Sequence, residues 1–96
     1  MMVSLTVRKT EGMKFVGVVD PSLLGKVYRS GIKVLDVSED YYSGEVVDLI
    51  TAMDEARTAT IAIFIGNEVV EEAMRQGLID TYDEIDGVKY AQMYNL

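Results

Sequence analysis

Ala59-Thr60-Ile61-Ala62-Ile63-Phe64-Ile65-Gly66 is the longest uncharged apolar run in the chain, and it passes at once into Asn67-Glu68-Val69-Val70-Glu71-Glu72-Ala73-Met74-Arg75-Gln76-Gly77. Any core this chain builds must be built on that stretch. The second half reads as a helix. Asn67 suits the N-cap, Glu68, Glu71 and Glu72 suit the positive end of the helix dipole, and Arg75 suits the last turn. Gly77 can take the left-handed conformation that ends a helix. Val69, Val70, Ala73 and Met74 then share one face. The first half fits two forms. Ile61, Ile63 and Ile65 could line one face of a buried strand. Alternatively Ala52, Ala56, Ala59 and Ile63 form one stripe of a buried helix with Gly66 as its C-cap. The helical reading is preferred here.

Outward from this stretch, Val3, Leu5 and Val7 alternate with polar neighbours and predict a strand. Phe15 to Val19 is its partner, joined through Thr10-Glu11-Gly12-Met13, whose Gly suits a short hairpin loop. Asp20-Pro21 places an N-cap before a proline, predicting one short helical turn over Ser22 to Leu24. Lys26 to Gly31 reads as a basic connector. Ile32 to Val37 reads as a third strand, with Val34, Leu35 and Val37 in the core. Ser38 to Gly44 is a loop by composition. Val46, Val47, Leu49, Ile50 and Met53 recur at helical spacing, so a helix is expected from about Glu45 towards Thr58 or beyond. Tyr82 to Ile85 and Val88 to Tyr94 flank Asp86-Gly87, a strong hairpin signal.

The expected fold is therefore α+β: one domain over residues 1–96, with a small mixed or antiparallel sheet of two hairpins plus a central strand, covered on one face by two or three helices. At 96 residues, 49% hydrophobic and 26% charged, the chain can bury one core and is not of disordered composition. No apolar run reaches the roughly 20 residues needed to span a bilayer. Met1 to Val7 lacks a basic n-region and a cleavage site, so a cytoplasmic location and no membrane partner are expected. The absence of Cys fits a reducing compartment.

The net charge of −7 is unevenly spread. Residues 1–33 hold six cations (Arg8, Lys9, Lys14, Lys26, Arg29 and Lys33) against two carboxylates, whereas residues 34–96 hold three cations against fourteen. Such segregation can mark a basic binding face, or it can reflect two regions that face each other in the fold. Tyr28 among Lys26, Arg29 and Lys33 combines stacking with phosphate-binding chemistry. Tyr41-Tyr42 can pack inward or present a partner-binding patch.

Catalytic chemistry is largely excluded by residue type. With no His and no Cys, the usual base at neutral pH, thiol nucleophiles and ordinary zinc sites are missing. Leu24-Gly25-Lys26 fails the pattern GxxxxGK[ST], which needs Gly at Asp20 and Ser or Thr at Val27. Gly12 and Gly17 make no GxGxxG. An EF-hand centred on Gly87 would put Tyr82 and Met93 at ligand positions, and neither side chain can coordinate calcium. Asp36, Glu39 and Asp40 could share a magnesium ion if the chain curled back on itself, but a solvated acidic loop has the same composition.

Leu23-Leu24-Gly25-Lys26, Leu35-Asp36-Val37-Ser38-Glu39, Tyr42-Ser43-Gly44-Glu45, Ala59-Thr60-Ile61-Ala62 with Gly66, Gly77-Leu78-Ile79-Asp80 and Gly87-Val88-Lys89-Tyr90-Ala91-Gln92 together resemble the archaeal domain of unknown function 424 family. The resemblance runs over nearly the full chain. It implies a cytosolic archaeal source and carries no assigned activity. In that family's pattern the position of Ile63 is often Asn, which would suit a helix. The closing strand often has Pro-His where this chain has Lys89-Tyr90, so no His-based role transfers. The functional expectation is a non-catalytic cytosolic adaptor or binding protein associated with RNA or the translation machinery, without a cofactor. Its partner would be an unknown protein or ribonucleoprotein, free nucleic acid being disfavoured by the net charge, and its oligomeric state is open. The alternative is a small-ligand or magnesium-dependent enzyme using the acidic loop.

Overall fold

The computed structural model describes residues 1–96. In chain order the elements are β1 (Met2–Thr10), β2 (Met13–Val19), a 3-10 turn (Pro21–Leu23), β3 (Val27–Ser30), β4 (Lys33–Asp36), α1 (Glu39–Tyr42), β5 (Glu45–Asp48), α2 (Leu49–Arg57), β6 (Ile61–Ile65), α3 (Asn67–Arg75), β7 (Asp83–Ile85) and β8 (Val88–Tyr94). Six strands form one mixed sheet in the order β5-β1-β2-β6-β8-β7, and β3 with β4 forms a separate two-stranded ribbon. Within the large sheet only the β2–β6 pair is parallel. The fold is thus α+β as expected, but the ribbon is an element apart, and the sheet is covered on both faces rather than one.

On one face Val3, Val16, Val18, Ala62, Phe64 and Ala91 pack against Ala52, Met53 and Ala56 of α2 and Val69, Val70 and Ala73 of α3. On the other, Val19, Ile65, Ile85 and Val88 pack with Leu35 and Val37, and Leu23, Leu24, Tyr28 and Tyr42 close over them. The ribbon, the 3-10 turn and α1 therefore supply the second layer. Apolar contact on both sides is why the β6 run carries no polar alternation.

Several expectations need correction. Residues 61–65 are a strand, paired on one side to β2 and on the other to β8. A strand in the middle of a sheet gains a full set of backbone hydrogen bonds from both neighbours, and β-branched Ile61, Ile63 and Ile65 suit it. Glu45 to Asp48 is likewise a strand, laid antiparallel on β1. Val47 turns towards the core while Val46 is exposed. The helix begins only after Asp48, whose carboxylate accepts the Ile50 N-H at 3.0 Å. The stretch Lys26 to Gly31 holds a strand rather than a connector, and β4 lies outside the main sheet with Val34 facing solvent. The Ser38–Gly44 loop contains the single turn α1.

The cap of α3 also differs: Gly66 occupies the N-cap position. Asn67 instead ties the helix start to the C-terminal hairpin, accepting the Lys89 N-H at 2.8 Å and donating to the Gly87 carbonyl at 3.2 Å. That hairpin forms as expected, with Asp86 and Gly87 at φ 51° and 81°. Positive φ at both central residues is the type I′ requirement. A Cβ at Gly87 would meet nothing within 4 Å, so Gly87→Val carries backbone strain without a clash. We expect a loss of about 1–2 kcal/mol, read as a fall in melting temperature of roughly 5–15 °C. An unchanged melting temperature would contradict the positive φ.

Candidate partner-binding surface

The ribbon gathers the basic residues of the middle of the chain. Its register places Val27 opposite Asp36, Tyr28 opposite Leu35, Arg29 opposite Val34 and Ser30 opposite Lys33, leaving Gly31-Ile32 as the turn. Gly31, at φ 61°, provides the reversal. Side chains alternate across a strand, so Tyr28 and Leu35 turn towards the second layer of the core, and Val27, Arg29 and Val34 turn to solvent. The base of the ribbon is fixed by the Gly25 N-H to the Val37 carbonyl (2.7 Å) and the Val37 N-H to the Lys26 carbonyl (2.9 Å).

Lys26, Arg29 and Lys33 are all exposed. Lys33 approaches Asp83 at 3.6 Å, a loose surface pair, while Lys26 and Arg29 have no carboxylate within ion-pair distance. Ile32 at the tip is fully exposed (101%), and Val27 and Val34 are about half exposed at 47% and 53%. The tip is thus apolar as well as basic.

Arg8, Lys9 and Lys14 do not join this group. They flank the β1–β2 turn at the start of β2, whereas the ribbon follows from its far end and packs beside Val19. Two of the three are engaged locally. Arg8 donates to the Tyr41 carbonyl at 2.7 Å and lies 4.3 Å over the Tyr41 ring. Lys14 reaches the helical side of the sheet, pairing with Glu55 at 2.7 Å and donating to the Thr58 hydroxyl at 2.6 Å. The hydrogen bond from Lys14, reinforced by its charge, holds the Glu55 carboxyl below its ordinary pKa. Neither Arg8 nor Lys9 has a carboxylate within ion-pair distance.

The acidic trio is not gathered either. No group of three His, Cys, Asp or Glu side chains is placed to hold a metal ion. Asp36 lies on the outward side of the ribbon, the Glu39 carboxylate lies beside Gly25, and Asp40 is exposed on α1. A depression of about 280 Å³ beside β7 and β8 is lined by Thr81, Tyr82, Asp83, Tyr90, Ala91 and Gln92, with Asp83 its one carboxylate.

A second surface takes in Tyr41 and Tyr42, the pair expected either to pack inward or to present a partner-binding patch. The strand registers set Arg8, Phe15, Ile61 and Tyr94 in one row across β1, β2, β6 and β8. Tyr41 stands edge-on to Phe15 with ring centres 5.7 Å apart, and to Tyr42 at 4.8 Å. Tyr42 lies over Gly17, where a Cβ would come within 3.4 Å of its ring and 2.6 Å of the Thr6 hydroxyl. Burial, followed by the nearby Tyr41 phenol, raises the Tyr42 pKa. Thr6 carries the one buried side-chain oxygen without a hydrogen-bond partner. Thr6 and Gly17 in the middle of apolar strands were the available signals.

A family profile described as "Protein of unknown function (DUF424)" matches residues 8–96. The chain belongs to this family. Among solved structures, the DUF424 chain is similar to an uncharacterized conserved protein from Methanopyrus kandleri. The two share 25% identity with a TM-score of 0.82, over 98% of this chain and 91% of that one. No curated protein matches it. No helix of this DUF424 protein is long and apolar enough to cross a membrane.

Proposed function

We propose that this DUF424 protein is a non-catalytic adaptor that uses the β3–β4 ribbon to hold an anionic partner, a ribonucleoprotein of the translation machinery or a protein component of one. The observation that carries this reading is the pair Lys26 and Arg29, exposed on the ribbon and neither of them ion-paired, although Asp36 shares its outward side, in a chain of net charge −7. Cations left uncompensated on an otherwise acidic molecule form a local attractive site for negative charge, with a reach of about 10 Å at 0.1 M salt. The groups with shifted pKa support the same view. Glu55 is shifted by its Lys14 pair. Lys89 is drawn down by desolvation but raised overall by Glu71 and Tyr82. Tyr42 is held by packing, and the three do not converge on one cleft.

The test is co-sedimentation of the full chain with ribosomal and other large complexes from a cell extract at low salt. Lys26→Ala, Arg29→Ala and Lys33→Ala combined should leave the melting temperature within a few degrees, because exposed ion pairs are worth only about 0–1 kcal/mol. The triple variant should lose at least roughly tenfold in the sedimenting fraction, as expected when three charged contacts are removed together. An unmodified chain that stays in the supernatant at low salt would defeat the proposal.

A further inference from the structure

Strand β8 outruns its neighbour at the edge of the large sheet. The Gly66 N-H bonds to the Lys89 carbonyl and the Asn95 N-H to the Thr60 carbonyl, so Lys89, Ala91, Met93 and Asn95 turn their backbone groups towards β6. Tyr90, Gln92 and Tyr94 turn theirs the other way. Asp83 meets Tyr90, but β7 begins there, and no backbone bond from Thr81 or Tyr82 reaches Gln92 or Tyr94. The depression lined by Thr81, Tyr82 and Gln92 lies in this gap. Open strand edges are usually blunted by charge. The two outermost strands follow that rule, β5 with Glu45 and Asp48 and β7 with Asp83 and Glu84. By contrast Tyr90-Ala91-Gln92-Met93-Tyr94-Asn95-Leu96 has neither charge nor proline. Tyr94 is 59% exposed and Leu96 93%.

Free N-H and C=O groups spaced along a strand are matched by another extended backbone. A basic peptide, which a chain of net charge −7 attracts, finds no carboxylate along Ala91 to Leu96 to hold it. We infer that this edge joins two copies of the chain, paired antiparallel about a twofold axis at Tyr94. Tyr94 exchanges both backbone bonds with Tyr94 of the second copy, and Gln92 does so with Leu96 of the second copy, in the alternation that leaves these groups free in one chain. An axis nearer Gln92 would bring the second copy against Tyr90, a place that Asp83 already holds. Each copy fills the gap of the other, and no charge enters the contact. The row Arg8, Phe15, Ile61 and Tyr94 continues across the axis into its counterpart, with the two tyrosines as a cross-strand pair.

The contact is smaller than that of a permanent dimer, so association is weak and grows with concentration. Sedimentation equilibrium of the full chain should show this dimer, and it should persist at about 1 M salt, which screens the repulsion between like-charged copies and breaks no ion pair. Tyr94→Glu and Tyr94→Lys should each raise the dissociation constant roughly fivefold or more, because like charges then stand opposite each other across the axis. Their melting temperatures should stay unchanged, the side chain being exposed. An equimolar mixture of the two variants should recover the dimer. The chain has no Cys, so Tyr94→Cys introduces a single thiol. It should oxidise to a linked dimer, since the Cα atoms of a hydrogen-bonded antiparallel pair stand about 5.5 Å apart, within disulfide reach. Val46→Cys, exposed on the charged β5 edge, should link far more slowly. Any of four results would overturn the inference: a chain monomeric up to roughly 1 mM, a dimer indifferent to both charge variants, a mixture no better than either variant alone, or Val46→Cys linking as fast as Tyr94→Cys.

Discussion

Phe64→Ala is expected to cost about 3–5 kcal/mol and to lower the melting temperature by on the order of 15–30 °C. Phe64 is fully buried at the centre of the sheet, beside Val18 of β2 and Ala91 of β8, on the face covered by both long helices. The cost of deleting a buried ring depends on how far its surroundings can close the void. Here they cannot close it well, because the same core holds Ala52, Ala56, Ala59, Ala62, Ala73 and Ala91. A methyl side chain has no rotamer with which to reach into the gap. Closing it would require α2 or α3 to slide, and the Asp48 cap on α2 and the Asn67 bonds at the start of α3 resist that. Urea unfolding followed by circular dichroism gives the value directly. A loss under about 2 kcal/mol would mean that a helix shifts to fill the space and that the core is softer than its packing suggests. Since domains are stable by only about 5–15 kcal/mol, this change removes a large share of what holds the chain folded.

What could be read from the sequence was what is decided locally. The turns Glu11-Gly12 and Asp86-Gly87 both hold positive φ at two successive residues, and both hairpins form around them. Asp20 caps the 3-10 turn as its position before Pro21 implies, accepting the Ser22 N-H at 3.0 Å. The amphipathic face of α3 buries Val69, Val70 and Ala73. What escaped was decided by partners far along the chain. Val46 and Val47 count equally towards a helical stripe or a strand, and it is β1, some forty residues earlier, that makes them a strand. A polar residue at position 63 fits the half-buried outer face of β6 as readily as a helix. The Asn that the family resemblance implies at this position therefore does not discriminate between the two.

The candidate surface divides in the same way. Composition showed that Lys26, Arg29 and Lys33 lie close together. The sequence pattern placed Ile32 in a third strand and Val34 in the core with Leu35 and Val37, because hydrophobic residues flanking Leu35 read as core. Only the ribbon's separation from the main sheet leaves them in water. The row Arg8, Phe15, Ile61 and Tyr94 could not be read at all, since each residue comes from a different strand and the row exists only through register.

Gly66→Ala is expected to lose roughly 2–5 kcal/mol, combining backbone strain with crowding, and to lower the melting temperature by on the order of 10–25 °C. Gly66 has φ 121° and ψ 147°, a region essentially restricted to glycine. A Cβ there would stand 2.8 Å from the Cβ of Asp20 and 3.6 Å from the Cδ1 of Leu23. Neither side can give way cheaply. The Asp20 N-H is bound to the Ile65 carbonyl at 3.0 Å, and the Gly66 N-H is bound to the Lys89 carbonyl at 2.9 Å, so retreat in either direction breaks a backbone contact. Gly77→Ala provides the comparison: its φ of 74° is also left-handed, but a Cβ there would meet nothing within 4 Å. That variant should lose only about 1–2 kcal/mol, from backbone conformation alone. The excess at Gly66 measures crowding against Asp20, and it should shrink when Asp20→Gly is combined with Gly66→Ala, as coupled neighbours do. If Gly66→Ala is no worse than Gly77→Ala, or if the double variant is simply additive, the strand-to-helix corner is not held by the fit of Gly66 against Asp20.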